Sequence, residues 1–303
     1  QKDAPERAYF YTIRSAVDQD AFDQMEKLKE RICSDEIRVV SFDVFDTLVV
    51  RPFMKPTDLF LLLNDEFARL CNLNSYVNFS DIRVNSEVKW RSRIMGEHVS
   101  YEEITLDEIY EQIALDYGID ADALNKLKQR EKELEIRFCT ARKMGKQLLE
   151  LALSQSKQVV IASDMYLPRE TVEAILQNNG YSYSRLYLSS DLRVAKWSKN
   201  LFYYIRRDLG FPAKSFLHIG DNYQSDVLNP KDVGWESAQL AKPVDLLKNA
   251  VPMLYGGEFY SRTSYYNGLM RDGMNSEMMF LGYRCAMALV ANKFYDNPFT
   301  TVA

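Results

Sequence analysis

Residues 37–48 read Ile37-Arg38-Val39-Val40-Ser41-Phe42-Asp43-Val44-Phe45-Asp46-Thr47-Leu48. The first six form a short apolar run rich in β-branched side chains, and acidic turn chemistry follows at once. That is the pattern of a buried strand ending in a loop. Three further runs look alike: Gln158–Ala162, Arg185–Leu188 and Ser215–Ile219, with Glu236–Leu240 a weaker fifth. Between them helical patterning covers Arg169–Asn178 and Asn200–Leu209, and a short helix follows Tyr223. Strands alternating with helices of ~10 residues predict βαβ units, hence an α/β fold with helices on both faces of a parallel sheet.

The first two strands break this spacing, because more than 100 residues separate them. The intervening stretch reads as helices over Thr57–Leu70, Ser80–Arg93, Leu106–Tyr117, Ala121–Phe138 and Thr140–Gln155, with Asp120 or Ala121 opening the fourth. An all-helical domain is therefore expected as an insertion after the first strand. The resulting division is a helical lead over 1–36, a core made of 37–55 and 156–245, an inserted module over 56–155, and an extension over 246–303.

Composition bounds the function classes. A chain of 303 residues holds about two domains. With 47% apolar and 27% charged residues it is an ordinary globular chain rather than a disordered one. A net charge of −5 argues against nucleic-acid binding, which rests on a dense basic face. No apolar run approaches the ~18 residues of a membrane span. Cys33, Cys71, Cys139 and Cys285 lie far apart with no CxxC pair, so neither a zinc site nor a disulfide framework is indicated and a reduced, cytoplasmic protein is expected. The chain begins at Gln1 without a secretory signal, and both ends read as cut from something longer. From Met253 onward Phe, Tyr and Met accumulate. That texture fits a helical tail packed on the core, or a docking surface for another domain.

In an open parallel sheet, ligands sit beyond the carboxyl ends of the strands. The first strand ends in Asp43-Val44-Phe45-Asp46-Thr47 and the second in Ser163-Asp164; Lys196 follows the third, and the fourth ends in Gly220-Asp221 with Asp226 shortly after. Acids, a hydroxyl and an ammonium thus converge on one edge. Carboxylates crowded together repel unless a cation neutralises them, and an all-oxygen set of two or three suits magnesium. Ser163 is placed to hydrogen-bond a phosphate oxygen, and Lys196 to offset phosphate and carboxylate charge. A carboxylate beside magnesium can attack phosphorus and form an aspartyl-phosphate that water then hydrolyses.

This ordered set resembles the haloacid dehalogenase (HAD) superfamily, composed mostly of magnesium-dependent phosphatases that act through an aspartyl-phosphate. Its four motifs are matched by Phe42 to Leu48, by Ser163 after Val159–Ala162, by Lys196, and by Gly220-Asp221 with Asp226. The resemblance implies a Rossmann-like HAD core, and the helical insertion resembles the family's C1-type cap, a lid that selects substrate. It further implies Asp43 as nucleophile and magnesium ligand, with Asp221, the Phe45 carbonyl and Asp226 completing the metal set. Thr47, Ser163, Asp164 and Lys196 are implied to hold the substrate. The wording of Ser41 to Leu48, of Ser163-Asp-Met-Tyr-Leu-Pro168 and of His218 to Asn222 is similar to a bacterial subgroup linked to surface-polysaccharide synthesis and often fused to glycosyltransferases. A small anionic phosphorylated substrate, such as a sugar or polyol phosphate, and a glycosyltransferase partner follow from that likeness.

One position departs from the phosphatase pattern. Where the family places its second Asp, which protonates the leaving group, this chain has Phe45; Asp46 falls one residue later, at the usual glycine. Loss of general acid–base catalysis costs typically ~10²–10⁴ in rate. Three readings stand side by side: Asp46, Asp164, Tyr166 or a residue of the insertion supplies the proton; the leaving group needs none; or the site only binds. Dehalogenases of the superfamily also lack that acid, but they dispense with the carboxylate retained here as Asp221.

Other residues read as structural. His218 sits in an apolar run as a satisfied core histidine, and His98 as a solvated one. Lys199 marks the start of a helix, which leaves Lys196 as the site lysine. In Glu87-Val-Lys-Trp-Arg-Ser-Arg93 the cations form a solvated helix face, with Arg91 the candidate to grip a second anionic group of the substrate.

Overall fold

The computed structural model describes residues 25–72, 78–96 and 101–245, with 285–286 and 288–289 near the C-terminus. The beginning of the expected helical lead, His98 and most of the aromatic extension lie outside the described residues.

Helix α1 (residues 25–33) leads into strand β1 (Val39–Phe42), and a tight turn follows to β2 (Val49–Val50). A 3₁₀ stretch over Pro56–Leu63 runs into α2 (Asn64–Leu70), α3 (Phe79–Gly96), α4 (Leu106–Tyr117) and α5 (Ala121–Phe138). The chain returns through β3 (Thr140–Ala141), α6 (Lys143–Ser154), β4 (Gln158–Ser163), α7 (Arg169–Asn178), β5 (Arg185–Leu188) and α8 (Ser189–Leu192). It continues with α9 (Asn200–Leu209), β6 (Phe216–Gly220), a π-helical turn over Tyr223–Leu228, α10 (Asn229–Asp232) and β7 (Glu236–Gln239). None of these helices is long and apolar enough to cross a membrane.

Five strands form one parallel, Rossmann-like sheet in the order β5-β4-β1-β6-β7. Strand β1 is central and wholly buried, with Phe42 beside Ile161 of β4 and Ile219 of β6. Alternation along the strands sends Val40, Phe42, Val159, Ile161, Leu217 and Ile219 into a core shared with α1, α6 and α7. Val39, Val160, Ala162 and Phe216 face the other way, against Leu201, Phe202 and Ile205 of α9 and against Trp235. Helices thus cover both faces, as the apolar runs predict. The strand order reverses at β1, and that switch point is where an open sheet leaves a crevice.

The insertion leaves and re-enters through the antiparallel β2–β3 pair, Val49 opposite Ala141 and Val50 opposite Thr140. Helix α4 starts with a capping box between Thr105 and Glu108 and ends on Gly118 at φ +61°. Asp120 caps α5 by accepting from the Asp122 and Ala123 amides at 3.0 and 3.1 Å. Inside the module the fully buried Arg83 guanidinium meets both Glu131 oxygens, at 2.9 and 3.0 Å. Tyr110 donates to the same carboxylate at 2.9 Å, so the buried charges are paired and hydrogen-bonded. The rings of Phe60 and Tyr166 lie 4.6 and 4.7 Å from the guanidinium. Tyr166 comes from the loop after β4, so this network also joins module to sheet.

Two expectations need correction. The stretch 56–63 winds as a 3₁₀ helix before α2 rather than as one α-helix from Thr57. The expected helix over Thr140–Gln155 starts later, because Thr140 and Ala141 pair with β2. Its Met144, Leu148, Leu149 and Ala152 join the core that the sheet and the module share.

Helix α6 also presses on the turn after β1: a Cβ on Gly145 would lie 2.1 Å from the Thr47 carbonyl oxygen. Gly145→Ala should therefore destabilise the chain by about 1–3 kcal/mol, the range for overpacking. Denaturant unfolding measures this, and an unchanged midpoint would contradict a rigid contact there.

Candidate active site

Strand β1 delivers Asp43 to the crevice, where the Asp43 amide donates to the Ile219 carbonyl at 2.9 Å. The chain then turns sharply: the Leu48 and Val49 amides both donate to the Val44 carbonyl, at 2.8 and 3.0 Å. Asp46 takes φ +57° in this turn, a left-handed conformation unusual for a residue with a Cβ. The buried Arg142 holds it there, donating to the carbonyls of Asp46, Leu240 (3.2 Å) and Ala241 (2.8 Å). One guanidinium thereby staples the turn after β1 to the segment after β7.

Strand β6 ends at Gly220, where a Cβ would sit 2.4 Å from the Asp226 carboxylate, so glycine is required for Asp226 to fold back over the strand end. The Asn222 side chain caps the π-helical turn by accepting from the Gln224 and Ser225 amides at 3.0 and 3.1 Å, and the Asn222 amide donates to Asp226 Oδ2 at 2.9 Å. Lys196 enters from the segment between α8 and α9. Its Nζ donates to Asp43 Oδ1 and to Asp226 Oδ1, each at 2.6 Å. Thr47 Oγ1 lies 3.5 Å from both Asp43 Oδ2 and Asp221 Oδ1.

The structure thus brings together Asp43, Thr47, Lys196, Asp221 and Asp226. Carboxylate oxygens of the three buried acids lie within 4.8 Å of one another. Burial pushes the Asp43 carboxyl well above its usual range; Lys196 opposes this, while Asp226 and Asp221 add to it. Asp221 is raised by burial too, against the pull of Lys242. Burial would also raise Asp226, but the Lys196 ammonium and His218 outweigh it and hold that carboxyl below its usual value. Burial works against the charge on Lys196, yet Asp226 and Asp43 keep its pKa above the ordinary one. Three buried carboxylates, with Asp46 beside them, face two ammonium groups. An all-oxygen set with excess negative charge fits a hard divalent cation, and Asp43, Asp221 and Asp226 are the residues that could hold it.

Ser163 is buried at the end of β4, the strand next to β1. Asp164 is engaged structurally: its oxygens accept from the Lys196 amide at 2.8 and 2.9 Å and from the Trp197 amide at 3.3 Å, and burial pushes its carboxyl up to about 6. Arg91 is not in this cluster; Glu87 and Glu103 take its guanidinium at 3.0 and 2.5 Å. The Phe45 ring lies under the Arg51 guanidinium at 4.2 Å, and Arg51 in turn bonds Glu135 at 2.8 Å. His218 is buried between Ser41 Oγ (2.8 Å) and Asp226 Oδ1 (3.2 Å), and burial lowers its pKa. Lys199 pairs with Asp232 at 2.7 Å.

Sequence reasoning missed Lys242, whose Nζ is 3.0 Å from Asp221 Oδ2 and 3.5 Å from Asp46 Oδ2. The signal was available: Lys242 follows the fifth strand, and reading strand ends through to that weak strand would have reached it.

No family model matches the chain, and no curated protein does. Among solved structures it is similar to a 2-haloacid dehalogenase of Pseudomonas syringae pv. Tomato DC3000, with 17% identity, 72% of this chain and 99% of that one covered, and a TM-score of 0.48. It is similar to the L-2-haloacid dehalogenase of Xanthobacter autotrophicus, with 17% identity, coverage of 67% and 77%, and a TM-score of 0.44. A magnesium-bound HAD-hydrolase of Bacillus subtilis matches at 19% identity, with coverage of 67% and 86% and a TM-score of 0.44.

The raised carboxyls make a pH prediction. An acid whose folded pKa is raised stabilises the fold below its unfolded value, near ~4, and that stability is lost as pH rises through the folded pKa. Asp226, held low, acts in the opposite sense. In chelator at neutral pH, Asp43→Asn should therefore melt higher than the wild type. A divalent cation that these acids hold should stabilise the wild type, by about 2.7 kcal/mol at 100 times its Kd, and the variant far less. Thermal melts across pH check both, and a variant that melts lower in chelator would contradict the charge balance.

Proposed function

We propose that the chain is a magnesium-dependent, HAD-type phosphohydrolase or phosphotransferase acting through an aspartyl-phosphate on Asp43. The observation that carries this reading is the buried set of Asp43, Lys196, Asp226 and Asp221 at the switch point of a parallel sheet. Asp43, Asp221, Asp226 and the Phe45 carbonyl would hold magnesium, which supplies charge neutralisation for the carboxylates and the incoming phosphate. An Asp43 oxygen attacks phosphorus, the bond to the leaving group breaks with its electron pair going to the leaving oxygen, and water later releases phosphate. Lys196 offsets charge on the nucleophile and phosphate, while the Ser163 and Thr47 hydroxyls bind phosphate oxygens.

The leaving-group side is assigned to a cavity of about 120 Å³ whose lining includes Asp46, Arg51, Phe53, Lys242 and Asp245. Asp46 lines that cavity and lies across Lys242 from Asp221 of the acid cluster, which supports it over Asp164 as proton donor. The helical module serves as the lid in this reading. The substrate is a small anionic phosphorylated metabolite, with sugar and polyol phosphates of surface-polysaccharide synthesis the preferred class, a glycosyltransferase the associated partner and the cytoplasm the compartment. The alternative is a binding or scaffolding module of low activity, and Phe45 at the position of the usual acid is the observation that favours it.

Magnesium-dependent phosphate release from sugar phosphates, polyol phosphates and one acyl phosphate tests the reading. Asp43→Asn should abolish turnover, by about 10³-fold or more. Asp46→Asn should lower kcat by about 10²–10⁴ on sugar phosphates and far less on the acyl phosphate, whose leaving group needs no proton. Absence of turnover with magnesium still bound would favour the module.

A further inference from the structure

Glu102 belongs to the inserted module, just ahead of α4, and takes no part in the acid cluster. Its carboxylate reaches across to the segment between α8 and α9. Oε2 accepts from the Ala195 amide at 2.8 Å and from Ser198 Oγ at 2.5 Å, and Oε1 accepts from Asn200 Nδ2. The Glu102 amide donates to the Arg193 carbonyl at 2.9 Å. From the other end of the segment, Arg193 donates to the Glu103 carbonyl at 2.8 Å and to the two Glu108 oxygens at 2.8 and 3.0 Å. Residues 193–200 are therefore tied along their length to the start of α4 and the residues just before it.

Lys196 lies in the middle of this segment. From the sheet side its amide is held by Asp164 and its carbonyl by Asn229 Nδ2 at 2.9 Å. Two of its neighbours are strained: Arg193 has φ +56° and Lys199 φ +75°, both left-handed and neither glycine. Such conformations persist only where the surroundings over-determine them. Arg193 bonds Glu108, and Glu102 accepts from Ser198 and Asn200 on either side of Lys199.

We propose that Glu102 is a positioning residue for Lys196. Through it, the seating of the module on the sheet sets the segment that carries the ammonium to Asp43 and Asp226. A module lifted from the sheet draws Ala195 out of register and Lys196 with it, so the site is complete only when the lid is seated. This rests on the role of Lys196 in the proposed phosphoryl transfer. Small misplacements matter there, because reacting groups must be held within a fraction of an ångström.

Hydrogen exchange over residues 193–200, thermal midpoints, and kcat and KM for phosphate release would be measured for Glu102→Ala, Glu102→Gln and Ser198→Ala. In Glu102→Ala, exchange in the segment should speed up about 10-fold while β4 and β6 stay protected. Its kcat should fall about 10-fold with KM within about twofold. Glu102→Gln, whose carbonyl oxygen still accepts from Ala195, should recover most of both losses. If Glu102→Ala does not fold, Ser198→Ala carries the same readouts at about threefold. Unchanged exchange in the segment, or a raised KM with kcat intact, overturns the proposal. A wild type inactive on every phosphorylated compound overturns the functional reading instead, and exchange still decides whether Glu102 holds the segment.

Discussion

One ammonium holds the centre of this molecule. Lys196 Nζ lies 2.6 Å from a carboxylate at the end of β1 and 2.6 Å from another in the turn after β6, and all three groups are buried. With two carboxylates on it the ammonium stays paired when one is neutral; left with neither, it would cost about 3–5 kcal/mol. The surrounding structure is arranged to keep the ammonium there: Asp164 fixes its backbone, Asn229 fixes the following turn, and Gly220 leaves room for Asp226. Burial pushes the carboxyls of Asp43 and Asp221 up against the pull of Lys196 and Lys242, so two ammonium groups do not fully offset the cost of burying these acids as charges. A divalent cation among the three carboxylates would offset it.

A second cation does comparable work at the opposite side of β1. Arg142 is buried and gathers carbonyls from the turn after β1 and from the segment after β7, which brings Lys242 beside Asp46 and Asp221. The left-handed Asp46 and the close approach of Gly145 belong to the same arrangement. The inserted module is tied to the crevice in turn, through Tyr166 over Arg83, Arg51 to Glu135, and Glu102 to Ala195. Sheet, strand-end turns and inserted module therefore share one set of polar contacts around the candidate site.

Much of this was legible in the residues. Short apolar runs bounded by turn chemistry marked β1, β4, β5 and β6, because a parallel strand covered on both faces is mostly apolar, whereas the half-exposed edge strand β7 gave only a weak signal. The rule that strand ends carry ligands singled out Asp43, Lys196, Asp221 and Asp226. Less legible was the start of α6. Thr140 and Ala141 carry on the helical pattern of the residues around them, and only their pairing with β2 shows that a strand precedes the helix.

Local pattern by itself determined the parallel α/β class, the helical insertion and the acids that gather at one edge, since each follows from periodicity or from position relative to a strand end. Only the tertiary structure decided which charged groups pair. Glu102 with Ala195, Arg142 with the Leu240 and Ala241 carbonyls, Lys242 with Asp221 and Arg91 with Glu103 join residues from different elements. Several are far apart in the chain, and no sequence spacing encodes them. Their partners are set by how helices and loops pack, because a charge leaving water bonds whatever the fold puts within reach.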